Sequence, residues 1–428
     1  MVILLFLSIN HSPIQANSIT QCDIASLQSA VETANNGVDG VITFDCEGII
    51  TVTEPLVIQQ TMIINGDGKI ILDGGGVNRL FRVAEGASLT LDSITLQNGV
   101  SPSGGAIFNE GHLTIINSTL TNNQALSFGG AIFSEGGSVT IINSTLSNNQ
   151  ATSDGGAVYN EAFLTVSNST FFHNTAQNGG AIASESDSIV TIDNSDFTGN
   201  QAGVNGGAIY TGVVSTMTLS GSSFTTNSAL SGGAVYNQFT TTIGGCVFSE
   251  NSTVISGGAI YNAGTAMING GLFELNSSNE DGGAVYNALY VYINNGDFRD
   301  NTATNNGGAV MNTWGLTLYS SNFYRNKAWD GGALFNSGLL TSDKSEFYDN
   351  VADDEGGAFH NVSTDTVLIM GNRFEDNIAT EGGAIHNWGM IYSQYTIFED
   401  NTCTQNIIFD LGANTSERAE GCIGEVIE

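Results

Sequence analysis

The amino-acid sequence predicts an all-β fold, a parallel β-solenoid with coils of about 25 residues. Three observations lead to this prediction. The triplet Gly-Gly-Ala occurs twelve times between residues 104 and 384, at intervals of 24 to 27 residues. A second motif, Phe or Leu followed three residues later by Asn, keeps the same period. Short segments between the motifs alternate apolar and polar residues, which favours strands over helices. Because such short units cannot bury an apolar face alone, the coils must stack on one another.

The six residues GGAVYN, at 155–160, 232–237 and 282–287, show what the first motif does. Two glycines permit a corner where φ is positive or where two backbones approach closely. The residue after the triplet is aliphatic in eleven coils and Phe359 in the twelfth, so we expect it to face inward. The closing Asn suits a bend, where its amide can pair with buried backbone groups. The motif therefore indicates a rule of construction rather than a chemical site.

The second motif predicts two internal columns. We expect its Phe to fill the axis of the solenoid, each ring stacked on the next at the ~4.8 Å spacing of neighbouring strands. We expect its Asn to form an inward ladder, in which each amide bonds the same amide one coil away. The twelve ladder positions are Asn123, Asn149, Asn174, Asn200, Asn227, Asn251, Asn276, Asn301, Asn326, Asn350, Asn377 and Asn401.

The segment before the regular coils predicts an export signal and a cap. Residues 1–16 are apolar and end in a small-residue cleavage pattern, as in a signal peptide. Asp23 as N-cap and Gly37 as stop bound a short amphipathic helix. Such a helix covers the open end of the solenoid, whose strand edges would otherwise invite association. The predicted organisation is a signal peptide (1–16), a cap helix with irregular first coils (17–78), regular coils (79–402) and a C-terminal cap (403–428).

The five cysteines agree with export. They show no CxxC or His-spaced zinc pattern, and two lie near each end of the chain. We therefore expect two disulfides that act as clamps, Cys22–Cys46 and Cys403–Cys422. Cys246 occupies a position that Ser fills in most other coils, so we expect a buried free thiol there.

The formal net charge of −33 excludes two classes of partner. A surface this acidic repels nucleic acid and anionic lipid. After the first residues no apolar run approaches the ~18 residues of a membrane span, so we expect no transmembrane segment. The expected location is secreted or at the cell surface, and no pattern indicates an oligomeric state.

The paired GGA[ILV] and FxxN motifs resemble the passenger region of chlamydial polymorphic outer membrane proteins. They also resemble the wider group of secreted right-handed β-helix repeat proteins of the pectin-lyase-like superfamily. The resemblance spans roughly residues 79–401, and the helix-then-coils entry at 22–99 is similar to the secreted group. It implies a single-stranded right-handed parallel β-helix with a short N-terminal capping helix. It implies less about function, because the shared motifs are structural.

The resemblance implies one enzymatic alternative, a polysaccharide lyase or glycoside hydrolase acting on acidic polysaccharide. Such enzymes use clustered Asp carboxylates, with Ca²⁺ and a basic residue or with His. The acidic doublet Asp353-Asp354, with His360 nearby, supplies the candidate catalytic residues. Against this alternative, the chain has only nine Lys and Arg and five His, and its coils stay uniform. We therefore favour a non-catalytic function.

One column offers candidate binding residues. The residue before the closing Asn of GGAVYN should point outward if its aliphatic neighbour points inward. Stacked Tyr rings there would form an aromatic strip suited to sugar rings or a partner protein. Alternatively, each ring merely shields its neighbour. The tyrosines of this column are Tyr159, Tyr210, Tyr236, Tyr261 and Tyr286.

Two further columns carry weaker signals. Asp349, Asp376 and Asp400 recur two residues after the Phe, and adjacent like charges can attract a divalent cation such as calcium. Apart from calcium, no cofactor is expected. A Thr file indicates either ordinary strand surface or, as a minor alternative, an ice-binding solenoid. Its members are Thr90, Thr114, Thr140, Thr165, Thr191, Thr218, Thr242, Thr317 and Thr341.

The sequence thus favours an exported, non-catalytic surface or matrix protein. Its long face would serve adhesion, by binding a cell-surface glycan, a protein or a polysaccharide. This expectation rests on three features: the coils are uniform, His and basic residues are scarce, and a column of tyrosines faces outward.

Overall fold

The computed structural model describes residues 15–37, 40–185 and 187–404, which form one α-helix and a long parallel β-solenoid whose first strand precedes the helix. Each strand pairs in parallel with the equivalent strand of the coils before and after it. In the described part of the chain these strands make three sheets, of 29, 14 and 13 strands. The predicted all-β solenoid is confirmed.

One coil shows the path of the chain. After Gly155-Gly156 the strand Val158–Asn160 enters the second sheet. Two strands of the first sheet follow, Phe163–Ser167 and Thr170–Phe172, with a bend between them. Thr175–Asn178 then lies in the third sheet before the next Gly-Gly corner. The first sheet therefore holds two strands per coil.

The strands of the first sheet are Gln15–Ile19, Gly40–Phe44, Gly48–Thr51, Thr61–Asp73, Ser88–Gln97, His112–Ile116, Thr119–Thr121, Ser138–Ile142, Thr145–Ser147, Phe163–Ser167, Thr170–Phe172, Ile189–Asp193, Asp196–Thr198, Thr216–Ser220, Ser223–Thr225, Thr240–Gly244, Val247–Ser249, Thr265–Asn269, Leu272–Glu274, Tyr290–Asn294, Asp297–Arg299, Gly315–Tyr319, Asn322–Tyr324, Leu339–Asp343, Glu346–Tyr348, Thr366–Met370, Arg373–Glu375, Met390–Gln394 and Ile397–Glu399. Those of the second sheet are Leu56–Ile58, Phe81–Val83, Ile107–Asn109, Ile132–Ser134, Val158–Asn160, Ile182–Ser184, Ile209–Thr211, Val235–Asn237, Ile260–Asn262, Val285–Asn287, Val310–Asn312, Leu334–Asn336, Phe359–Asn361 and Ile385–Asn387. Those of the third sheet are Val100–Ser101, Gln124–Ala125, Gln150–Ala151, Thr175–Asn178, Gln201–Asn205, Ser228–Ser231, Ser252–Ser256, Ser277–Ser278, Thr302–Ala303, Lys327–Ala328, Val351–Ala352, Ile378–Ala379 and Thr402–Cys403.

An aromatic stack runs along the axis of the solenoid. From Phe171 to Phe398, one ring per coil lies 4.6 to 5.2 Å from the next, centroid to centroid. Leu120 and Leu146 hold the same column in the coils before it and are fully buried. The stack forms because every coil places the same residue at the same inward position, one strand spacing above the last.

The Asn ladder runs beside this stack. Oδ1 of Asn174 accepts two hydrogen bonds from Asn149, one from its backbone N–H and one from its Nδ2, both at 3.0 Å. Nδ2 of Asn149 also donates to the carbonyl of Leu120 in the preceding coil, at 3.0 Å. The ladder thereby pairs the buried backbone groups at each bend, which would otherwise lie unpaired in a dry interior.

The Gly-Gly corner leaves no room for side chains. Gly282 has φ +63°, a left-handed conformation that L side chains rarely adopt. A Cβ on Gly283 would lie 2.0 Å from the carbonyl oxygen of Gly308 in the next coil. Both glycines are therefore required, the first by its conformation and the second by close backbone approach.

The helix Ile24–Asn36 caps the N-terminal end. Asp23 accepts a hydrogen bond from the backbone N–H of Ser26 at 2.8 Å, which pairs one of the free N–H groups of the first turn. The apolar face of the helix, with Leu27 and Val31, packs on the solenoid core. The helix thus covers the open end, as its amphipathic pattern predicts.

The cysteines differ in their surroundings. Cys22 and Cys46 form a disulfide beside the cap helix. Cys246 is a buried free thiol, and burial raises its pKa to about 11. Cys403 lies in the last strand of the third sheet, whereas Cys422 lies outside the described residues. The pairing Cys403–Cys422 therefore stays a prediction.

The ends of the predicted organisation also fall outside the described residues, which exclude 1–14 and 405–428. The signal peptide and the C-terminal cap stay predictions. Among the described residues, the structure contains no helix with the length and hydropathy needed to cross a membrane.

Candidate functional site: an exposed aromatic face and a buried His–Glu cluster

The Tyr column lies on the outer side of the second sheet, but it is not an open strip. Tyr210, Tyr236, Tyr261 and Tyr286 stand in register, with ring centroids 4.7 to 5.8 Å apart. Tyr210 is only 9% exposed, and its neighbours are half-buried. Burial raises the pKa of Tyr210 to about 12, so its hydroxyl stays neutral.

Tyr159 shows why this column is covered. Its side chain is 6% exposed, and the ring of Phe128 lies 4.8 Å away, centroid to centroid. Phe128 belongs to the loop before a Gly-Gly corner, and this loop folds over the second sheet. The expectation of an exposed aromatic strip is therefore wrong for Tyr159 and Tyr210. The alternative, that each ring shields its neighbour, describes them.

Exposed aromatic residues are concentrated instead on the outer side of the first sheet. They lie on the five-residue strands between 265 and 394 and on the turns beside these strands. Tyr392 is 63% exposed and Trp388 is 68% exposed. We call this surface the aromatic face; its members are Met267, Tyr290, Tyr292, Trp314, Tyr319, Leu339, Leu368, Met370, Trp388, Met390, Tyr392 and Tyr395.

Strand register makes the aromatic face continuous. One outward position holds a column of paired residues in six successive coils. In order, they are Met267, Tyr292, Thr317, Thr341, Leu368 and Tyr392. A Cβ on Gly315 would lie 2.5 Å from the ring of Tyr290, so that ring packs closely against the glycine of the next coil. The result is a shallow apolar surface, interrupted by hydroxyl groups.

The sequence contains a pattern that indicates this face: the outward Thr column is interrupted by apolar and aromatic residues. Thr114 and Thr242 occupy the same outward column in earlier coils. Met267, Tyr292, Leu368 and Tyr392 are the positions where Thr is replaced. Interruptions of the Thr column, rather than the column itself, mark the candidate binding surface.

A buried His–Glu cluster lies on the second sheet near its C-terminal end. His360 and His386 pair in register on adjacent strands, and Glu355 lies in the turn before Gly356. Oε2 of Glu355 is 3.2 Å from Nε2 of His360 and 3.2 Å from Nδ1 of His386. One potential ligand atom from each of these residues lies within 4.8 Å of the others. The three side chains are therefore close enough to share an ion.

Burial controls the protonation of this cluster. It lowers the pKa of His360 to about 3, with a further contribution from His386, so His360 is neutral. Burial also raises the pKa of Glu355, together with the charges of Asp354 and Glu381. One coil earlier, burial raises the pKa of Asp330 to about 6, and its Oδ1 accepts from the backbone N–H of Glu355 at 3.1 Å.

The structure does not bring the predicted catalytic residues together as expected. Asp353 is exposed and forms an ion pair with Lys327, at 3.0 Å from Nζ to Oδ1. Asp354 contributes its charge to the pKa of Glu355. His360 lies against Glu355 and His386 instead of the acidic doublet. The prediction missed Glu355 because its partners come from two coils.

The predicted calcium ligands have a backbone role. Asp349, Asp376 and Asp400 have φ of 54°, 54° and 51°, at the left-handed bend that precedes each ladder Asn. Asp is among the residues that tolerate this conformation. Burial raises the pKa of Asp376, followed by the charges of Asp349, Glu375 and Asp400, so the column does stack. Calcium binding there stays a prediction.

Comparison with known proteins supports the fold. A family model described as a right handed beta helix region matches residues 105–278. With the parallel register, this match shows a right-handed parallel β-helix. No curated protein matches the chain. Among solved structures, the A-module of the mannuronan C-5 epimerase AlgE6 from Azotobacter vinelandii is similar at 12% identity and a TM-score of 0.42. The likeness covers 88% of this chain and 93% of that one, and at this TM-score we draw no conclusion from it.

Proposed function

We propose that this protein is a non-catalytic binding protein whose aromatic face holds a polysaccharide at a surface or in a matrix. The observation that carries this proposal is the concentration of exposed aromatic side chains on one sheet. Soluble proteins rarely expose a contiguous apolar surface of this kind without a binding role. Export to a cell surface or matrix belongs to the same proposal and comes from the sequence.

Carbohydrate fits this face for two reasons. Aromatic rings such as Tyr392 and Trp314 offer flat apolar surfaces, and a sugar ring has apolar C–H groups that can lie on them. Polar side chains alternate with the rings, among them Thr317 and Thr341, and can bond sugar hydroxyls. The net charge of −33 disfavours an acidic polymer, so we propose a neutral polysaccharide.

The length of the face adds to the affinity of a polymer. Trp314 and Trp388 lie three coils apart, which corresponds to roughly 14 Å along the solenoid. A chain of sugars can contact several aromatic groups at once, so that individually weak contacts sum to avidity.

The test replaces aromatic residues by the residue that the solenoid itself uses at the same position. Tyr292→Thr and Tyr392→Thr restore the Thr of the outward column, and Trp314→Ser adds a polar residue at the turn. We expect the triple variant to lose at least tenfold in affinity for neutral polysaccharides, measured on a glycan array and by pull-down on insoluble polymers. Phe163→Thr, which removes an exposed aromatic residue outside the face, is the control and should bind normally. Unchanged binding by the triple variant, with its circular dichroism also unchanged, would refute the proposal.

A second candidate function is polysaccharide cleavage. The carboxyl groups of Asp330, Glu355 and Glu381 occupy the same turn in three successive coils, and Glu381 lies 3.7 Å from His386. Such a group of acids favours general acid–base chemistry. Release of unsaturated uronides or reducing sugars by the purified protein, abolished in Glu355→Gln, would support this candidate over pure binding.

A further inference from the structure

We propose that Glu355, His360 and His386 form a zinc site that joins two successive coils of the solenoid. The proposal does not require polysaccharide binding, because its three ligands lie on the second sheet; Trp388 is the member of the aromatic face that contacts them. Nothing in the repeat pattern requires these residue types, because the other regular coils carry Phe, Tyr, Met or Ala in the column of the two histidines.

The donor set and its spacing fit zinc. Two imidazoles and one carboxylate are the protein ligands of many zinc sites, with a water as the fourth. Ligand atoms about 2.0–2.2 Å from a tetrahedral zinc lie roughly 3.3–3.6 Å from each other. Oε2 of Glu355 lies 3.2 Å from a ring nitrogen of each histidine, so two of the three separations are close to those values, and all three ligand atoms lie within 4.8 Å of one another. Ca²⁺ and Mg²⁺ prefer oxygen ligands and fit less well.

The unpaired ring nitrogens of His360 are a second observation in favour of a bound ion. Its side chain is buried, with the residue only 3% exposed, and in the described part of the chain neither ring nitrogen has a hydrogen-bond partner. Oε2 of Glu355 is near Nε2 of His360, but the two atoms are not aligned for a hydrogen bond. Buried polar atoms in folded proteins almost always have a partner. An ion between the imidazole and the carboxylate would provide one.

The surroundings favour a cation. Asp330, Asp354 and Glu381 all act electrostatically on this cluster, and a divalent ion offsets their mutual repulsion. The indole of Trp388 competes with an ion for these ligands: its Nε1 donates to Nδ1 of His386 at 3.2 Å, and its side chain also hydrogen-bonds Glu355. Zinc bound at Nδ1 displaces this hydrogen bond and changes the environment of the indole, which makes Trp388 a natural reporter.

The experiment titrates ZnCl₂ into the full-length, chelator-treated protein. Excess Mg²⁺ and Ca²⁺ are included to occupy the acidic surface. We expect one zinc ion per chain by calorimetry, a micromolar or tighter Kd, and a matching change in tryptophan fluorescence. Zinc should also raise the thermal midpoint, because a ligand that binds the folded state stabilises it.

Four variants test the assignment. His360→Phe and His386→Phe introduce an aromatic residue that this column holds elsewhere, as at Phe335, and should weaken binding at least tenfold while the fold persists. Glu355→Gln should also bind more weakly. Trp388→Phe removes the indole N–H that competes for His386 and Glu355, so it should bind zinc at least as tightly as the wild type and lose the fluorescence response.

His112→Asn, at an exposed histidine far from the cluster in sequence, is the control and should bind normally. Two results would overturn the proposal: no saturable binding by the wild type, or equal affinity in a folded His360→Phe variant. The second result would place the zinc on the acidic surface. Loss of polysaccharide binding by the Tyr292, Trp314 and Tyr392 variants has no bearing on either result, so the two proposals fail separately.

Discussion

Asn251 is bonded twice to Asn276 in the next coil: its backbone N–H and its Nδ2 both donate to Oδ1 of Asn276, at 3.1 and 3.0 Å. Its Nδ2 also donates to the carbonyl of Phe224, at 2.8 Å. Its own Oδ1 accepts the same two bonds from Asn227. Because all these groups are buried, each Asn of the ladder is both donor and acceptor for the coils beside it.

We therefore predict that Asn251→Ala lowers the free energy of unfolding by about 1–3 kcal/mol, since it leaves the donors of Asn227 and the carbonyl of Phe224 without partners in a dry interior. Urea unfolding followed by circular dichroism measures the change. Asn305→Ala, at an exposed loop position, should have little effect. A ladder variant as stable as the control would show that water replaces the lost amide at no cost.

The Phe stack predicts a graded response to side-chain volume. Phe273→Leu should cost roughly 1 kcal/mol, because Leu120 and Leu146 already fill this column in two coils. Phe273→Ala should cost about 3–5 kcal/mol, because it leaves a cavity between Phe248 and Phe298. The comparison of the two thermal midpoints is the measurement. Equal losses for Leu and Ala would mean that ring stacking, rather than filled volume, holds the axis.

The close packing at the Gly-Gly corner predicts that adding one methyl group there lowers the free energy of unfolding, whereas adding it at an open glycine does not. In Gly283→Ala, the new Cβ meets the carbonyl oxygen of Gly308 at 2.0 Å, so one of the two coils must shift; we expect a loss of about 1–3 kcal/mol or more. Gly244→Ala is the matched control, since its nearest contact is 3.9 Å away. Hydrogen exchange at the flanking coils should increase in the first variant alone. If both variants exchange like the wild type, the corner is less tightly packed than the structure indicates.

The raised pKa of the partly buried Asp154 carboxyl predicts that the stability of the protein depends on pH. Burial raises the pKa of this carboxyl above its ordinary value of 3.8, although Nδ2 of Asn178 donates to it at 2.8 Å. Because the folded state holds the proton more tightly than the unfolded state, this contribution to stability is present below pH 3.8 and is lost as pH rises through the folded pKa. Asp154→Asn should therefore stabilise the protein at pH 7 relative to wild type, and less so near pH 4.

Thermal melts of both proteins across this pH range measure the effect. Glu85→Gln, at an exposed position, is the control for the removal of one charge from an acidic protein. If the control gains as much as Asp154→Asn, the gain reflects net charge instead of burial.

The amino-acid sequence is sufficient to predict the solenoid and its interior. Twelve copies of two motifs at one period place the same residue at the same point of each coil, so stacking follows once the coils repeat. The inward Phe, the Asn ladder and the glycine corners could all be predicted, because each depends on local alternation and on contact with an identical neighbour. The capping helix could be predicted from Asp23 and Gly37 for the same local reason.

The exposure of the outward columns and the contacts between distant side chains could not be predicted, because they depend on the folded chain as a whole. Tyr159 and Tyr392 both point away from the core, yet a loop that carries Phe128 covers the first and nothing among the described residues covers the second. The His–Glu cluster likewise needs Glu355 from a turn and His386 from the following coil. Repetition determines what lies inside each coil, whereas exposure and convergence depend on how loops of irregular length fold over the surface, and no periodic pattern encodes that.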